Sequence, residues 1–138
     1  MDVLYTAVAT ARGGRTGEVV SDDGVLDLEL AAPKELGGGE HDKTNPEQLF
    51  AAGYAACFHS ALRRIAKSKG VDVEGSEITA RVGLGIVGER FGLAVTLVGR
   101  FPTLDAEAGR VCMADAHEVC PYSNATRGNI DVILEVAE

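Results

Sequence analysis

Asn45-Pro46-Glu47-Gln48-Leu49-Phe50-Ala51-Ala52-Gly53-Tyr54-Ala55-Ala56-Cys57 is the stretch on which the fold turns. Asn45 is a good helix N-cap, Pro46 suits the first helical position, and Gln48 can complete a capping box. The pattern predicts a helix running from Pro46 to about Lys69, with Gly70 as its stop. Its middle, Ala51 to Cys57, is small and apolar all round. A helix of that kind is buried and lets another backbone approach closely. Ala52 and Ala56 lie one turn apart on one face, with Gly53 next to them.

Upstream, Val3 to Thr10 reads as a strand, and Arg12-Gly13-Gly14-Arg15 as a turn because paired glycines accept positive φ. Val19-Val20 and Val25 to Leu30 suggest two more short strands around the turn Ser21-Asp22-Asp23-Gly24, and Ala31 to Lys43 is a loop. Downstream, Ile78 to Val87 and Phe91 to Phe101 are longer strands joined by Gly88-Glu89-Arg90. The first alternates through Ile78, Ala80, Val82, Leu84 and Ile86, so one of its faces is buried. A second helix is expected from Asp105 to Val119, with Cys120 at or just past its end against Pro121, and Ile130 to Val136 is a final strand. Strands cluster instead of alternating with helices, which predicts an α+β fold with antiparallel sheets around a long buried central helix. A helix apolar on every side needs more cover than one sheet provides, and a twin copy in a homodimer would supply it.

At 138 residues the chain fits a single domain, residues 1–138, able to bury about two-thirds of its unfolded surface. Hydrophobic residues at 46% and charged residues at 25% give the balance of a soluble globular protein and argue against disorder. The net charge of −8 argues against nucleic acid, which needs a basic face. No apolar run approaches the roughly 20 residues that span a bilayer. The start Met1-Asp2-Val3-Leu4-Tyr5 has an acid where a signal peptide carries basic residues, so a cytoplasmic location is expected. Cysteines at 57, 112 and 120 are too few and too uneven for a secreted disulfide framework. In a reducing compartment such a pair is more often catalytic or metal-binding than structural.

Taken alone, Cys57 reads first as a core cysteine. Cys120, at a helix end, is fit to present its side chain to another element, and two such thiols can join if their Cα atoms come within roughly 4.4–6.8 Å. If Cys57 reacts with a peroxide, its thiolate takes one oxygen, an alcohol leaves, and the sulfenic acid condenses with a nearby thiol before it can over-oxidise. A thiol of ordinary pKa is a few per cent ionised at pH 7, so full ionisation gains at most about 30-fold, or roughly 2 kcal/mol. Positioning, and a cation at the leaving oxygen, must supply the rest. Arginine suits that task, and a carboxylate can hold its guanidinium bidentately. Arg12, Arg15 and Arg127 are all candidates, with Glu47 as the carboxylate in the first turn of the Cys57 helix. Ten residues of helix put Glu47 about 15 Å from Cys57, so if both share one arginine, either the helix breaks or Glu47 comes from a partner subunit.

The stretch Thr44 to Phe58 resembles the peroxidatic-cysteine helix of the organic hydroperoxide resistance (Ohr) proteins, and Cys120-Pro121-Tyr122-Ser123-Asn124-Ala125-Thr126-Arg127-Gly128-Asn129-Ile130-Asp131 resembles their resolving-cysteine segment. Gly13-Gly14-Arg15-Thr16-Gly17 is similar to their arginine turn and selects Arg15. The resemblance covers nearly the whole chain, and Asn45-Pro46-Glu47-Gln48-Leu49-Phe50 favours the Ohr branch over the sister OsmC group. It implies an intertwined homodimer of the OsmC-like fold with active sites at the subunit interface. It implies reduction of alkyl and fatty-acid hydroperoxides in oxidative stress defence, recycling by dihydrolipoyl groups of a lipoylated protein, and no metal or bound cofactor. It makes Cys57 the peroxidatic nucleophile, Cys120 the resolving cysteine, Arg15 the activating cation and Glu47 its orienting partner. Phe50 and Tyr122 become apolar walls for the organic tail. Two positions depart from the pattern: Arg12 stands where a small or polar residue is expected, and Cys112 is an extra thiol, read as core or bystander.

Two other classes compete. Cys57-x-His59 and His117-x-x-Cys120 offer four N and S ligands suited to zinc, although such spacings arise often by chance. A small-molecule binding protein could use the apolar pocket without chemistry, and would be indifferent to Cys57→Ser. Asn124-Ala125-Thr126 matches a glycosylation acceptor by spelling only.

Overall fold

Apolar and β-branched residues need a hydrogen-bonded neighbour before they make a strand. The computed structural model describes residues 1–39 and 42–138, so Glu40 and His41 of the expected loop lie outside the described residues. The chain divides into two compact units, Met1–Leu49 and Phe50–Glu138. In the first, β1 (Ala9–Arg12), β2 (Glu18–Ser21) and β3 (Asp27–Glu29) form an antiparallel sheet in that order. The expected first strand therefore begins later than its composition suggests. β1 pairs Ala9 with Ser21 through Arg12 with Glu18, and upstream of it the Asp22 N–H reaches the Val8 carbonyl at 3.0 Å. Leu4 and Tyr5, equally β-prone, are exposed and belong to no strand.

The turn from β1 to β2 is built on glycine. Gly13 has φ +78°, and a Cβ on Gly17 would stand 1.7 Å from the Arg12 carbonyl oxygen, so only glycine closes it. Inside it a short 3-10 turn, Gly14–Thr16, carries Arg15. The turn read at Ser21 to Gly24 is present. The Ser21 hydroxyl donates to Asp23 Oδ1 at 2.6 Å, and Gly24 has φ +73°. A second 3-10 turn, Lys34–Leu36, lies in the expected loop.

α1 runs unbroken from Pro46 to Ser68, starting in the first unit and continuing through the second. Asn45 Oδ1 accepts the Gln48 N–H at 2.9 Å, as an N-cap should. The Gln48 side chain instead accepts from the Thr44 hydroxyl at 2.8 Å, so the capping box is only half formed. Gly70, with φ +68°, follows the helix end.

In the second unit, β4 (Glu77–Val87) and β5 (Arg90–Arg100) make a long antiparallel hairpin, closed by Gly88-Glu89 with Gly88 at φ +63°. α2 (Ala106–Val119) is N-capped by Asp105, whose carboxylate accepts the Ala108 N–H at 2.8 Å. A short α3 (Pro121–Thr126) and β6 (Val132–Val136) complete the unit. β6 lies parallel to β5, Val95 opposite Val132, the one parallel pair among these strands. The physical reason is the connection: two helices carry the chain back before it re-enters the sheet, and a crossover of that length returns a strand in the same direction.

Tyr54, Phe58 and Leu62, at helical spacing on one side of α1, are fully buried with Val95, Leu97, Met113, Ala116 and Cys120. Fully burying side chains of the larger sizes stabilises by about 1.5–3 kcal/mol each. Ala52, Ala56 and Ser60, one turn apart on the other side, are exposed. The close approach expected at Gly53 is made by a side chain. A Cβ there would come within 3.1 Å of the Tyr122 hydroxyl. Among the described residues no helix is long and apolar enough to cross a membrane.

Candidate active site

Cys57 sits mid-way along α1, half-buried, and Cys120 is the residue at which α2 ends and α3 begins. Pro121 explains the second placement. It cannot continue α2 but is well suited to the first position of a new helix. The two sulfurs, 63 residues apart in sequence, stand 3.7 Å from one another, with the buried Cys120 thiol directed at Cys57 Sγ. Burial pushes the Cys57 thiol up; the backbone N–H of Tyr122, aimed at the sulfur, pulls it down, and Cys120 pushes it up again. Cys112 is buried in the core, its thiol raised by burial first and by Asp115 second.

Phe50, Tyr54 and Cys57 follow at helical spacing on α1, which puts two aromatic rings on the side of the helix that carries the thiol. Tyr122 closes the group, its ring centroid 6.5 Å from Phe50 and 5.7 Å from Tyr54 in tilted arrangements. The structure thus brings Phe50 and Tyr122 together and keeps them next to the cysteine pair.

In the first unit, Arg15 Nη1 and Nη2 donate to the two carboxylate oxygens of Glu47 at 2.7 and 2.6 Å, a bidentate fork. These hydrogen bonds hold the Glu47 carboxyl below its usual range and raise the Arg15 guanidinium, so both stay charged. The other two arginines are engaged differently. Among the described residues Arg12 makes only a long, exposed contact of 3.9 Å with Glu18. Arg127 donates to Asn124 Oδ1 and to the His117 carbonyl, both at 2.7 Å, across the end of α3.

The histidines of the alternative zinc set hold serines. His59 Nε2 is 3.0 Å from Ser76 Oγ, and His117 Nδ1 is 2.8 Å from Ser123 Oγ. Burial keeps both imidazoles below their ordinary pKa. Among the described residues no group of three or more His, Cys, Asp or Glu side chains is placed to hold a metal ion.

Residues 38–135 match the family of OsmC-like proteins. The chain belongs to this family. An organic hydroperoxide resistance protein of Xanthomonas axonopodis pv. citri (strain 306) is 52% identical to this OsmC-like chain over 136 residues, covering 98% of the chain and 96% of the relative. The organic hydroperoxide resistance protein OhrB of Bacillus subtilis (strain 168) is 50% identical, covering 96% and 98%. The crystal structure of an organic hydroperoxide resistance protein of Legionella pneumophila superimposes with a TM-score of 0.93 at 50% identity, over 99% of the OsmC-like chain and 100% of that protein.

Sequence reasoning missed one part of the site. Tyr54, Ser123 and Thr126, all buried, form a polar chain with the half-buried His117, and α3, which carries two of them, was not anticipated. Its signal was Ser123 and Thr126 three residues apart after a helix-starting proline, a pattern visible only once Pro121 is read as a start and not merely as a stop.

Proposed function

We propose that this OsmC-like protein is a two-cysteine thiol peroxidase that reduces organic hydroperoxides. The observation that carries the reading is the 3.7 Å approach of Cys57 and Cys120 from separate elements. The Cys57 thiolate attacks one peroxide oxygen, the O–O bond breaks, and the leaving alkoxide takes a proton as the alcohol. Cys57 is left as a sulfenic acid. The Cys120 thiol then gives its electron pair to the Cys57 sulfur, the S–O bond breaks, and water carries away the hydroxyl with the thiol proton. An external dithiol, which the family resemblance points to as a dihydrolipoyl group on a lipoylated protein, reduces the resulting disulfide, and no bound cofactor takes part.

Arg15 stabilises the charge on the leaving oxygen, and Glu47 holds the fork in orientation. Because α1 is unbroken, the rise from Glu47 to Cys57 stays about 15 Å, more than one Glu47-bound arginine spans. Arg15 and Glu47 therefore serve the Cys57 of a partner subunit in a homodimer whose contact covers the exposed Ala52, Ala56 and Ser60 face. Phe50 and Tyr122 offer apolar surface to an organic tail, which favours organic substrates over hydrogen peroxide. The names of the relatives at about half identity support the same substrate class.

The test compares wild type, Cys57→Ser and Cys120→Ser with cumene hydroperoxide or hydrogen peroxide, using dihydrolipoamide as reductant. Wild type should consume the organic peroxide rapidly and hydrogen peroxide far more slowly, with turnover lost in Cys57→Ser. Absence of turnover by wild type with either peroxide would overturn the reading.

A further inference from the structure

The condensation of Cys120 with a Cys57 sulfenic acid needs the two sulfurs to close from 3.7 Å to about 2.05 Å, so the placement of α3 against α1 sets how fast it can occur. That placement is held by hydroxyl groups. Tyr54, one turn before Cys57 on α1, lies with its Oη 2.8 Å from Ser123 Oγ and 3.1 Å from Thr126 Oγ1, both on α3. Tyr54 and Ser123 are fully buried, and Thr126 is 4% exposed. His117, in the last turn of α2, reaches the same Ser123 hydroxyl at 2.8 Å.

One arrangement of the hydroxyl protons satisfies every group in the chain. Thr126 donates its only hydroxyl proton to the Ser123 carbonyl at 3.2 Å, so toward Tyr54 it can only accept. Tyr54 then donates to Thr126 and accepts from Ser123, and Ser123 in turn accepts from a protonated His117 Nδ1. Every hydroxyl is satisfied, and among the described residues no buried side-chain N or O lacks a partner. The hydroxyl of Tyr54 is the single group that ties the Cys57 helix to the Cys120 segment through this chain. The bonds of Arg127 and His117 tie the six-residue α3 to α2, and the Tyr54 hydroxyl adds directional bonds from α3 to α1 that fix its register against the Cys57 helix.

We propose that Tyr54 is a positioning residue for the resolving step: its hydroxyl, bonded to Ser123 and Thr126, holds Cys120 at attack distance from Cys57. The proposal rests on the peroxidase reading above, and concerns its second chemical step alone.

The test is single-turnover oxidation of the reduced full-length protein by one equivalent of cumene hydroperoxide, quenched at intervals, with free thiol, dimedone-trapped sulfenic acid and disulfide counted by mass spectrometry. Tyr54→Phe removes only the hydroxyl. It should slow disulfide formation by about tenfold, the rate equivalent of one hydrogen bond, and let the dimedone adduct on Cys57 accumulate, while Cys57 thiol loss changes far less. Thr126→Val should act in the same direction, and Thr126→Ser, which keeps the hydroxyl, should restore the parental ratio of the two rates. Equal slowing of both steps, parental disulfide formation in both Tyr54→Phe and Thr126→Val, or failure of both to fold would each overturn the proposal, the first and last by assigning the hydroxyls to general stability. Failure of wild type itself to form the Cys57–Cys120 disulfide would mark the peroxidase reading as wrong, and the proposal with it.

Discussion

At the scale of single residues, charge is what distinguishes Arg15 from Arg12 and Arg127. Of these three, Arg15 is the one that holds a carboxylate bidentately, and that carboxylate has its proton affinity lowered chiefly by the arginine's hydrogen bonds. A carboxyl with a lowered folded-state pKa stabilises the fold fully above its unfolded value, roughly 4.3, and the contribution fades as pH falls through the lower folded value. Wild type should therefore exceed Glu47→Gln in urea stability by about 1 kcal/mol at neutral pH, Arg15 being 40% exposed and the pair partly screened. The gap should close below about pH 4, and a gap unchanged through the acid range would contradict the assignment. The residues themselves were half legible. Cys57 and Cys120 stood out by type and position, but three arginines could not be ranked by spacing, because a salt bridge across 32 residues has no local signature. The Tyr54 chain was invisible for the same reason. Its bonds to Ser123 and Thr126 span 69 and 72 residues.

At the scale of elements, the packing of α2 on β5 depends on a missing side chain. A Cβ on Gly99 would lie 2.6 Å from both Met113 Sδ and Phe101 Cε2, whereas one on Gly85, in β4, would meet nothing within 4 Å. Gly99→Ala should cost about 1–3 kcal/mol in urea unfolding through overpacking. Gly85→Ala should stay within about 0.5 kcal/mol of wild type. Similar losses at both sites would mean that strand propensity, not packing, sets the effect. Periodicity recovered α1, α2, β4 and β5 to within a residue or two, since each is long enough to repeat its pattern. It failed for α3, whose six residues hold less than two turns, and for the start of β1, which is set by where β2 offers a partner.

At the scale of the whole molecule, the chain leaves several apolar side chains in water. Val3, Leu4 and Tyr5 are exposed, as are Ile86, Val87 and Phe91 near the end of the β4–β5 hairpin, and so is the Ala52, Ala56 face of α1. The homodimer proposed above would cover part of it. If Arg15 serves the partner's thiol, Arg15→Ala and Cys57→Ser, each inactive alone, should complement when unfolded together and refolded as a mixture. Half the dimers would then be mixed and carry one intact site of two, so activity should return to about a quarter of wild type. A mixture as inactive as its parents would place both residues of each site in one subunit.

The sequence by itself determined the family, the α+β class, the long central helix with its cap and stop, and the two cysteines worth testing, because each is written in local pattern or residue type. Tertiary structure alone decided that those cysteines face each other at 3.7 Å, that the Arg15 and Glu47 expected from the resemblance meet as a bidentate fork, that β6 runs parallel to β5, and that Tyr54 ties α1 to α3. All four are meetings of residues far apart in the chain, and their geometry is fixed by packing and directional hydrogen bonds that leave no period in the sequence.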